Sequence, residues 1–385
     1  MIDFIVAFGG GSPMDVAKAV GVVAKYGGSV TDYEGAHKVP GPIVPLIAIP
    51  TTAGTGSEVT AFSVITDHSR NYKLTVFSYE ILPKYAILDA ELITTAPASV
   101  VAACGIDAFI HAEETYVSTA ASPFSDALAE KAMALIGKNI RRFVANRNDI
   151  EAAEAMMTGS LFAGIAFSFA RLGNVHAMSH PVSAFFDVPH GVANAVLLPV
   201  IAEYNALADH GKYLTIYNDI SPIPAYADEF EPMMLVDAIR ELCTDIGIPE
   251  NLTIAINNAS KTGTVTKEEI ESRIEPMAVD AMKSGNIAVN PRASRQCDIE
   301  MLYRRALQVN INGCKQLFDY AACPYPEGMN GDRLMYFQHT DISRVVFEGY
   351  VDDDEIMMCD NIVNAMEKTE IERADVRKLK RSMVN

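Results

Sequence analysis

The chain of 385 residues holds eight histidines, and four of them fall in two short segments. In GIDAFIHAEE, Asp107 and His111 stand four apart on a predicted helix, so their side chains share one face. In RLGNVHAMSHPVSAFFDVPHG, His176 and His180 again share a helical face, while His190 follows Pro189 at the start of a helix or loop. One carboxylate and three imidazoles suit Zn2+ or Fe2+ and leave room for a substrate oxygen. Singly, each residue is a weak signal. A lone histidine on an apolar helix is more often a hydrogen-bonded core or surface residue, and Asp107 alone fits a helix cap. The joint spacing is what points to a metal centre.

Two loops upstream offer a different chemistry. Gly9-Gly10-Gly11-Ser12 lies between an apolar run, residues 2–8, and a segment with helical spacing that has Pro13 near its start. Glycines let backbone N–H groups approach a phosphate, and a helix N-terminus favours negative charge. The motif is neither G-x-G-x-x-G nor a P-loop, so alone it fits a tight turn equally well. The loop Thr51-Thr52-Ala53-Gly54-Thr55-Gly56-Ser57 follows a second buried strand, 44–50, at what would be the same sheet edge. Ligands of open α/β sheets bind outside the carboxyl ends of the strands, so the pair of loops points to a nucleotide.

The elements that must carry these groups change along the chain. Strand, Gly-rich turn, helix and strand, with a further strand-like piece at 85–92, make an α/β domain over 1–97. Residues 98–307 are rich in Ala, Met and Leu at helical spacing and predict an all-helical, metal-binding domain. Helices are expected at 234–247, 266–284 and 298–307. Residues 308–385 have another texture, richer in Tyr, Phe, Gly and Asp, with strand signals in RLMYFQ and RVVFEGYV and a charged helical tail at 361–383. Their Cys314, Cys323, His339 and Cys359 match no zinc spacing.

Composition narrows the function classes. Thirty-one Lys+Arg against 49 Asp+Glu give a net charge of -18, which repels phosphate backbones and argues against a nucleic-acid partner. The opening MIDFIVAFGGGS has no basic leader, and no run of eighteen apolar residues occurs, so neither a signal peptide nor a membrane span is expected. Six scattered cysteines without a C-x-x-C pair fit a reduced cytoplasmic protein.

With FGGGSPMDVAKA, IPTTAGTGSEVT, GIDAFIHAEETYVS and LGNVHAMSHPVSAFFDVPHGVANA in order, residues 1–307 resemble the iron-containing (group III) alcohol dehydrogenase family. The last stretch is closest to the branch of lactaldehyde reductase, 1,3-propanediol dehydrogenase and NAD-dependent methanol dehydrogenase. The resemblance implies a partial Rossmann-like domain followed by a helical metal-binding domain, the dehydroquinate synthase-like architecture. It implies Asp107, His111, His176 and His190 as ligands of a divalent metal, Fe2+ first, with Zn2+ or Mn2+ as alternatives. His180 would stand beside the nicotinamide in proton relay. Gly10, Gly11, Ser12 and Asp15 would hold the pyrophosphate region of NAD or NADP. Thr51, Thr52 and Thr55 would touch the phosphates and the nicotinamide side, and Lys73 would reach a ribose. Lys73 by itself reads as a solvent-exposed residue. The implied reaction passes hydride between a primary alcohol or diol, or its aldehyde, and the nicotinamide, with the metal acidifying the alcohol. Relatives of this kind form homo-oligomers.

Two departures from the family are expected. About ninety residues that precede the GGGS strand in the family are read as lacking, which would expose an apolar strand edge, and 308–385 are an extension of unrecognised fold. These departures permit a gene fragment, a chain completed by a partner, or a tail that replaces the first strands. The rival functions are a truncated, catalytically impaired remnant that binds metal but not dinucleotide, and a glycerol dehydrogenase-like polyol oxidoreductase.

Overall fold

A computed structural model describes residues 3–67, 70 and 72–308, all within the first of the two units into which the chain divides, Met1–Cys314. The expectations for 309–385, including the two strand signals, the helical tail and the Cys/His set, lie outside the described residues.

Strand β1 (Ile5–Gly9) runs into helix α1 (Gly11–Tyr26) through Gly10 alone. Three more strands follow before the hairpin partner is complete: β2 (Gly35–Ala36), β3 (Leu46–Pro50) and β4 (Phe62–Asp67), paired with β5 (Tyr72–Phe77); β6 (Tyr85–Ala86) comes last. They form two three-stranded sheets. In the first, β1, β3 and β6 are all parallel, with Ala7 opposite Ala48 and Ala48 opposite Ala86. In the second, β5 pairs parallel with β2 and antiparallel with β4. Alternation decides what β1 buries: Ala7 faces α1 and the core with Met14, Leu46 and Ala48, while Val6 and Phe8 are exposed. The strand expected over 85–92 stops after two residues. Asp89 accepts a hydrogen bond from the Glu91 amide (3.0 Å) and turns the chain into a short 3-10 segment, Ala90–Ile93.

Eleven helices are described, ten of them beyond residue 97. Helix α2 (Ala98–Val117) is the axis: fourteen of its twenty residues are buried, because its sequence is apolar nearly all round. Around it pack α3 (Pro123–Ala145), α4 (Ile150–Ala170), α5 (Asn174–Phe186) and α6 (His190–Asn205). The layer continues through α7 (Tyr213–Ile220), α8 (Pro232–Asp245), α9 (Leu252–Ala259), α10 (Lys267–Met282) and α11 (Gln296–Gln308). Side-chain caps set several starts: Ser122 before Pro123, Asp149, Asn251 and Thr266 each accept from a backbone amide three residues on. The segments Ile150–Ala170 and His190–Ala208 are long and apolar enough to cross a membrane, but more than half of each is buried against neighbouring helices.

The α/β and helical parts touch without side chains at one point. Gly56, at φ +61°, packs on Gly164 of α4 so closely that a Cβ there would lie 2.7 Å from the Gly164 Cα. Phe167, also on α4, adds a side-chain contact. Its ring lies 5.9 Å from Phe62 of β4 and 4.7 Å from His111 of α2.

Candidate metal and dinucleotide site

Helix α2 carries Asp107 and His111 one turn apart on its buried face, as the four-residue spacing requires. His176 enters in the first turn of α5, His180 in its second, and His190 is the first residue of α6. That last placement depends on Gly191: a Cβ there would run into the Ala103 carbonyl, so only glycine lets α6 start against α2. Ligand atoms of Asp107, His111 and His176 lie within 4.8 Å of one another, all three side chains buried. Asp107 Oδ1 is 3.6 Å from His176 Nε2 and 3.9 Å from His190 Nε2, and His190 is the half-open member. His180 stacks on His190 with centroids 5.2 Å apart and sits 6.3 Å from the His176 ring.

Charge in this cluster follows from burial opposed by Asp107. Burial drives His111 down to about 3 despite the Asp107 charge, and drives His190 down to about 4. His180 is pushed well below the usual imidazole range by burial and by the charges of His190, His176 and Lys73. His176 goes the other way. Burial lowers it, but hydrogen bonds to Asp107 and Glu114, with their charges, carry it up to about 9. The Asp107 carboxyl is held far below its usual range: burial raises it, and the three surrounding imidazoles outweigh that. An anionic carboxylate among mostly neutral imidazoles is the donor set that a divalent cation takes. His111 Nδ1 is buried with no hydrogen-bond partner, a further sign that hydrogen bonds within the protein do not use up this cluster.

The two glycine- and threonine-rich loops meet at the carboxyl ends of β1 and β3. Thr51 N–H donates to the Gly9 carbonyl (2.9 Å), and a Cβ on Gly10 would lie 3.1 Å from Thr52 Oγ1. A Cβ on Gly11 would lie 2.6 Å from Thr55 Cγ2, so anything larger than glycine there must push the Thr55 side chain aside. Ser12 is exposed at the start of α1, whose first amides face outward from that end. Both Asp15 oxygens are engaged inside the protein, one by Ser57 Oγ (2.6 Å) and one by Val64 N–H (3.0 Å). Lys73, on β5, donates to Thr66 (2.8 Å) and is partly buried rather than fully solvated; its charge acts on Asp15, His180 and His190.

Four residues that the spacing arguments passed over complete the site. Lys18, fully buried, donates to Ser57 Oγ, the Thr60 carbonyl and the Phe62 carbonyl at 2.7–2.9 Å, which sews α1 to the second loop and β4. Glu58 is buried beside it. Asn194 Nδ2 donates to Asp107 Oδ1 (2.6 Å) and lies 3.0 Å from His176 Nε2. Glu114 accepts from His176 Nδ1 at 2.6 Å. A signal existed for two of them: Glu114 is three residues from His111, and Asn194 four from His190.

The profile described as "Iron-containing alcohol dehydrogenase" matches residues 1–90, and that described as "Fe-containing alcohol dehydrogenase family, C-terminal" matches 101–307. The chain belongs to the iron-containing alcohol dehydrogenase family. A third profile, a domain of unknown function, matches 296–358. The 1,3-propanediol dehydrogenase of Klebsiella pneumoniae is 39% identical over 306 residues, 79% of this chain and 76% of the relative. The lactaldehyde reductase of Escherichia coli K12 is 37% identical over 307 residues, 79% and 77% of the two chains. Among solved structures, a sulfoacetaldehyde reductase from Bifidobacterium kashiwanohense in complex with NAD+ superposes with a TM-score of 0.69 at 31% identity, covering 80% of this chain and 77% of that one.

These matches correct one expectation. The family's N-terminal region is not lacking: residues 1–90 are matched by the family's own profile, and they fold as the strand, glycine turn and helix of β1 and α1 with the strands that follow. The impaired-remnant reading, which rested on that gap, loses its ground. This iron-containing alcohol dehydrogenase is an oxidoreductase of the NAD(P)-linked, metal-dependent type that works by hydride transfer, with a mixed α/β N-terminal part and a mostly helical C-terminal part.

Proposed function

We propose that the chain interconverts a small primary alcohol or diol with its aldehyde, using NAD or NADP, at the junction of the two loops and the histidine cluster. The observation that carries this reading is the convergence of Asp107, His111 and His176 within 4.8 Å, with His190 at their open side. Asp107, His111, His176 and His190 would hold the cation, Fe2+ first and Zn2+ or Mn2+ as alternatives. When bound, the cation acidifies an alcohol or polarises a carbonyl, and the nicotinamide takes or gives the hydride.

The chain's own residues do the rest. Gly10, Gly11 and Ser12 present backbone amides at the start of α1 to the pyrophosphate. Asp15 acts on that region by holding Ser57 and Val64, which fixes the second loop. Thr51, Thr52 and Thr55 line the phosphate and nicotinamide side, and Lys73 reaches the ribose from β5. His180, kept neutral, can accept a proton at its free nitrogen and pass it outward through the half-open His190 side. We further assign a dehydroquinate synthase-like arrangement, with boundaries at 1–97, 98–307 and 308–385, to a homo-oligomeric cytoplasmic enzyme.

Purified protein reconstituted with Fe2+, Zn2+ or Mn2+ and assayed for NAD(P)H formation tests the proposal, using ethanol, 1,2- and 1,3-propanediol and glycerol. Turnover of monoalcohols or propanediols that disappears on chelation is expected. A preference for glycerol with Zn2+ would move the reading to a glycerol dehydrogenase-like enzyme. No turnover with full metal content and bound NAD(H) would overturn it.

A further inference from the structure

We infer that Glu114 is a positioning residue for the metal centre: its carboxylate caps the helix that delivers His176 and selects the ring nitrogen which that histidine offers to the metal. Asp107, His111 and Glu114 lie at positions i, i+4 and i+7 of α2, so one helical face carries two candidate ligands and the group that orients a third. Glu114 Oε1 accepts from Val175 N–H at 2.6 Å, and Oε2 accepts from His176 Nδ1 at 2.6 Å and from His176 N–H at 3.4 Å. Helix α5 has Gly173 at its N-cap and no side-chain cap of its own. Its orphan amides are met from elsewhere instead: by Glu114 of α2, and by Asn290 Oδ1 in the loop before α11, which accepts from Asn174 N–H at 3.1 Å.

The chemistry follows from what an ionised carboxylate can do. It only accepts, so Nδ1 of His176 carries the hydrogen, and Nε2, 3.6 Å from Asp107 Oδ1, is the nitrogen left for a cation that displaces its proton. A histidine held this way presents one nitrogen in one orientation to a cation. Gly173 belongs to the same device. A Cβ there would lie 2.9 Å from Glu114 Oε1, so glycine is what lets the carboxylate reach the helix end. Thr115, further along α2, and Ser118, the residue that ends it, donate to the Arg171 and Ala170 carbonyls (3.3 and 2.7 Å), so the turn between α4 and α5 is tied to the helix that bears the other ligands. The turn needs holding. Arg171 sits at φ 61°, ψ -174°, a conformation that a side chain rarely adopts.

The inference rests on the metal-centre reading above, and the test separates the two. Zinc affinity of the full chain is measured by competition with a chromophoric chelator, beside the melting temperature of the metal-free protein. Glu114→Gln keeps the shape and one accepting oxygen but turns an NH2 donor toward Nδ1 or toward the amides. It is expected to weaken zinc binding by about 10- to 100-fold, while the metal-free melting temperature moves by only a few degrees. Glu114→Ala is expected to lower both. Zinc binding by Glu114→Gln within twofold of wild type would overturn the positioning role; absence of zinc binding by wild type would overturn the metal centre itself. If neither variant folds, histidine-15N spectra of the zinc-loaded wild type decide the matter: hydrogen on Nδ1 of His176 and zinc on Nε2 support the inference, and the reverse assignment removes it.

Discussion

The α/β part and the helical part build their halves of the site from different materials. In the helical part the groups proposed to do the work are side chains, Asp107, His111, His176 and His190, carried by three helices, with Glu114 and Asn194 hydrogen-bonded among them. In the α/β part they are mostly backbone amides and absent side chains, at Gly10, Gly11 and the threonine loop, held in place by the buried Lys18 and Asp15. One half is specified by chemistry and the other by clearance. Damage to the first should therefore remove a ligand outright, whereas damage to the second should loosen a fit.

The largest effect is expected from the ligands. Asp107→Ala or His176→Ala should lower kcat/KM by about three orders of magnitude or more, with loss of bound metal measured in the same samples. His190→Ala should also abolish metal-dependent turnover, and unchanged activity at full metal content would remove it from the set. Next comes Lys18→Met. It strands Ser57, Asp15 and two carbonyls, so a stability loss of roughly 2–4 kcal/mol in urea unfolding is expected, with metal content unchanged. If metal content fell as well, the two halves would not be separable.

The same lysine gives a pH dependence. Burial, eased by Asp15 and Glu58, brings Lys18 down to about 8, whereas an unfolded chain titrates near about 10.4. Between these values the unfolded state holds the proton that the folded state has released, so stability rises with pH. Wild type should therefore gain on Lys18→Met by on the order of 1–3 kcal/mol as pH climbs from about 8 to about 10.5, with no gain below about pH 7. The smallest effect is Gly11→Ala. Its Cβ must displace Thr55, so KM for NAD(P) should rise about tenfold, near 1.4 kcal/mol, while zinc affinity stays at the wild-type value.

The same contrast governs how much could be read from the residues alone. Histidines are scarce in this chain, and Asp107 and His111 at four-residue spacing carry their geometry with them, so the clustering of Asp107, His111 and His176 was legible. The helix positions were legible too, since 234–247, 266–284 and 298–307 agree with α8, α10 and α11 within about two residues. Lys18 was not legible, because a lysine in a helix that exposes Val16 and Val20 reads as solvated; only the fold brings Ser57, Thr60 and Phe62 around it. The β4–β5 hairpin went unread although FSVITD and YKLTVF are rich in strand-favouring residues, and its neighbour at 85–92 was overread because the Asp89 turn is a local hydrogen bond that competes with strand extension.

The contact of Gly56 with Gly164 has a mechanical consequence. A packed side chain can absorb a small displacement by changing rotamer, but two bare backbones have no such give. Where they touch, the second loop and α4 stand as close as backbone atoms allow, so any side chain at Gly56 or Gly164 would have to push them apart. The spacing between the threonine loop and the helix under it is therefore fixed by the absence of two side chains rather than by the presence of any.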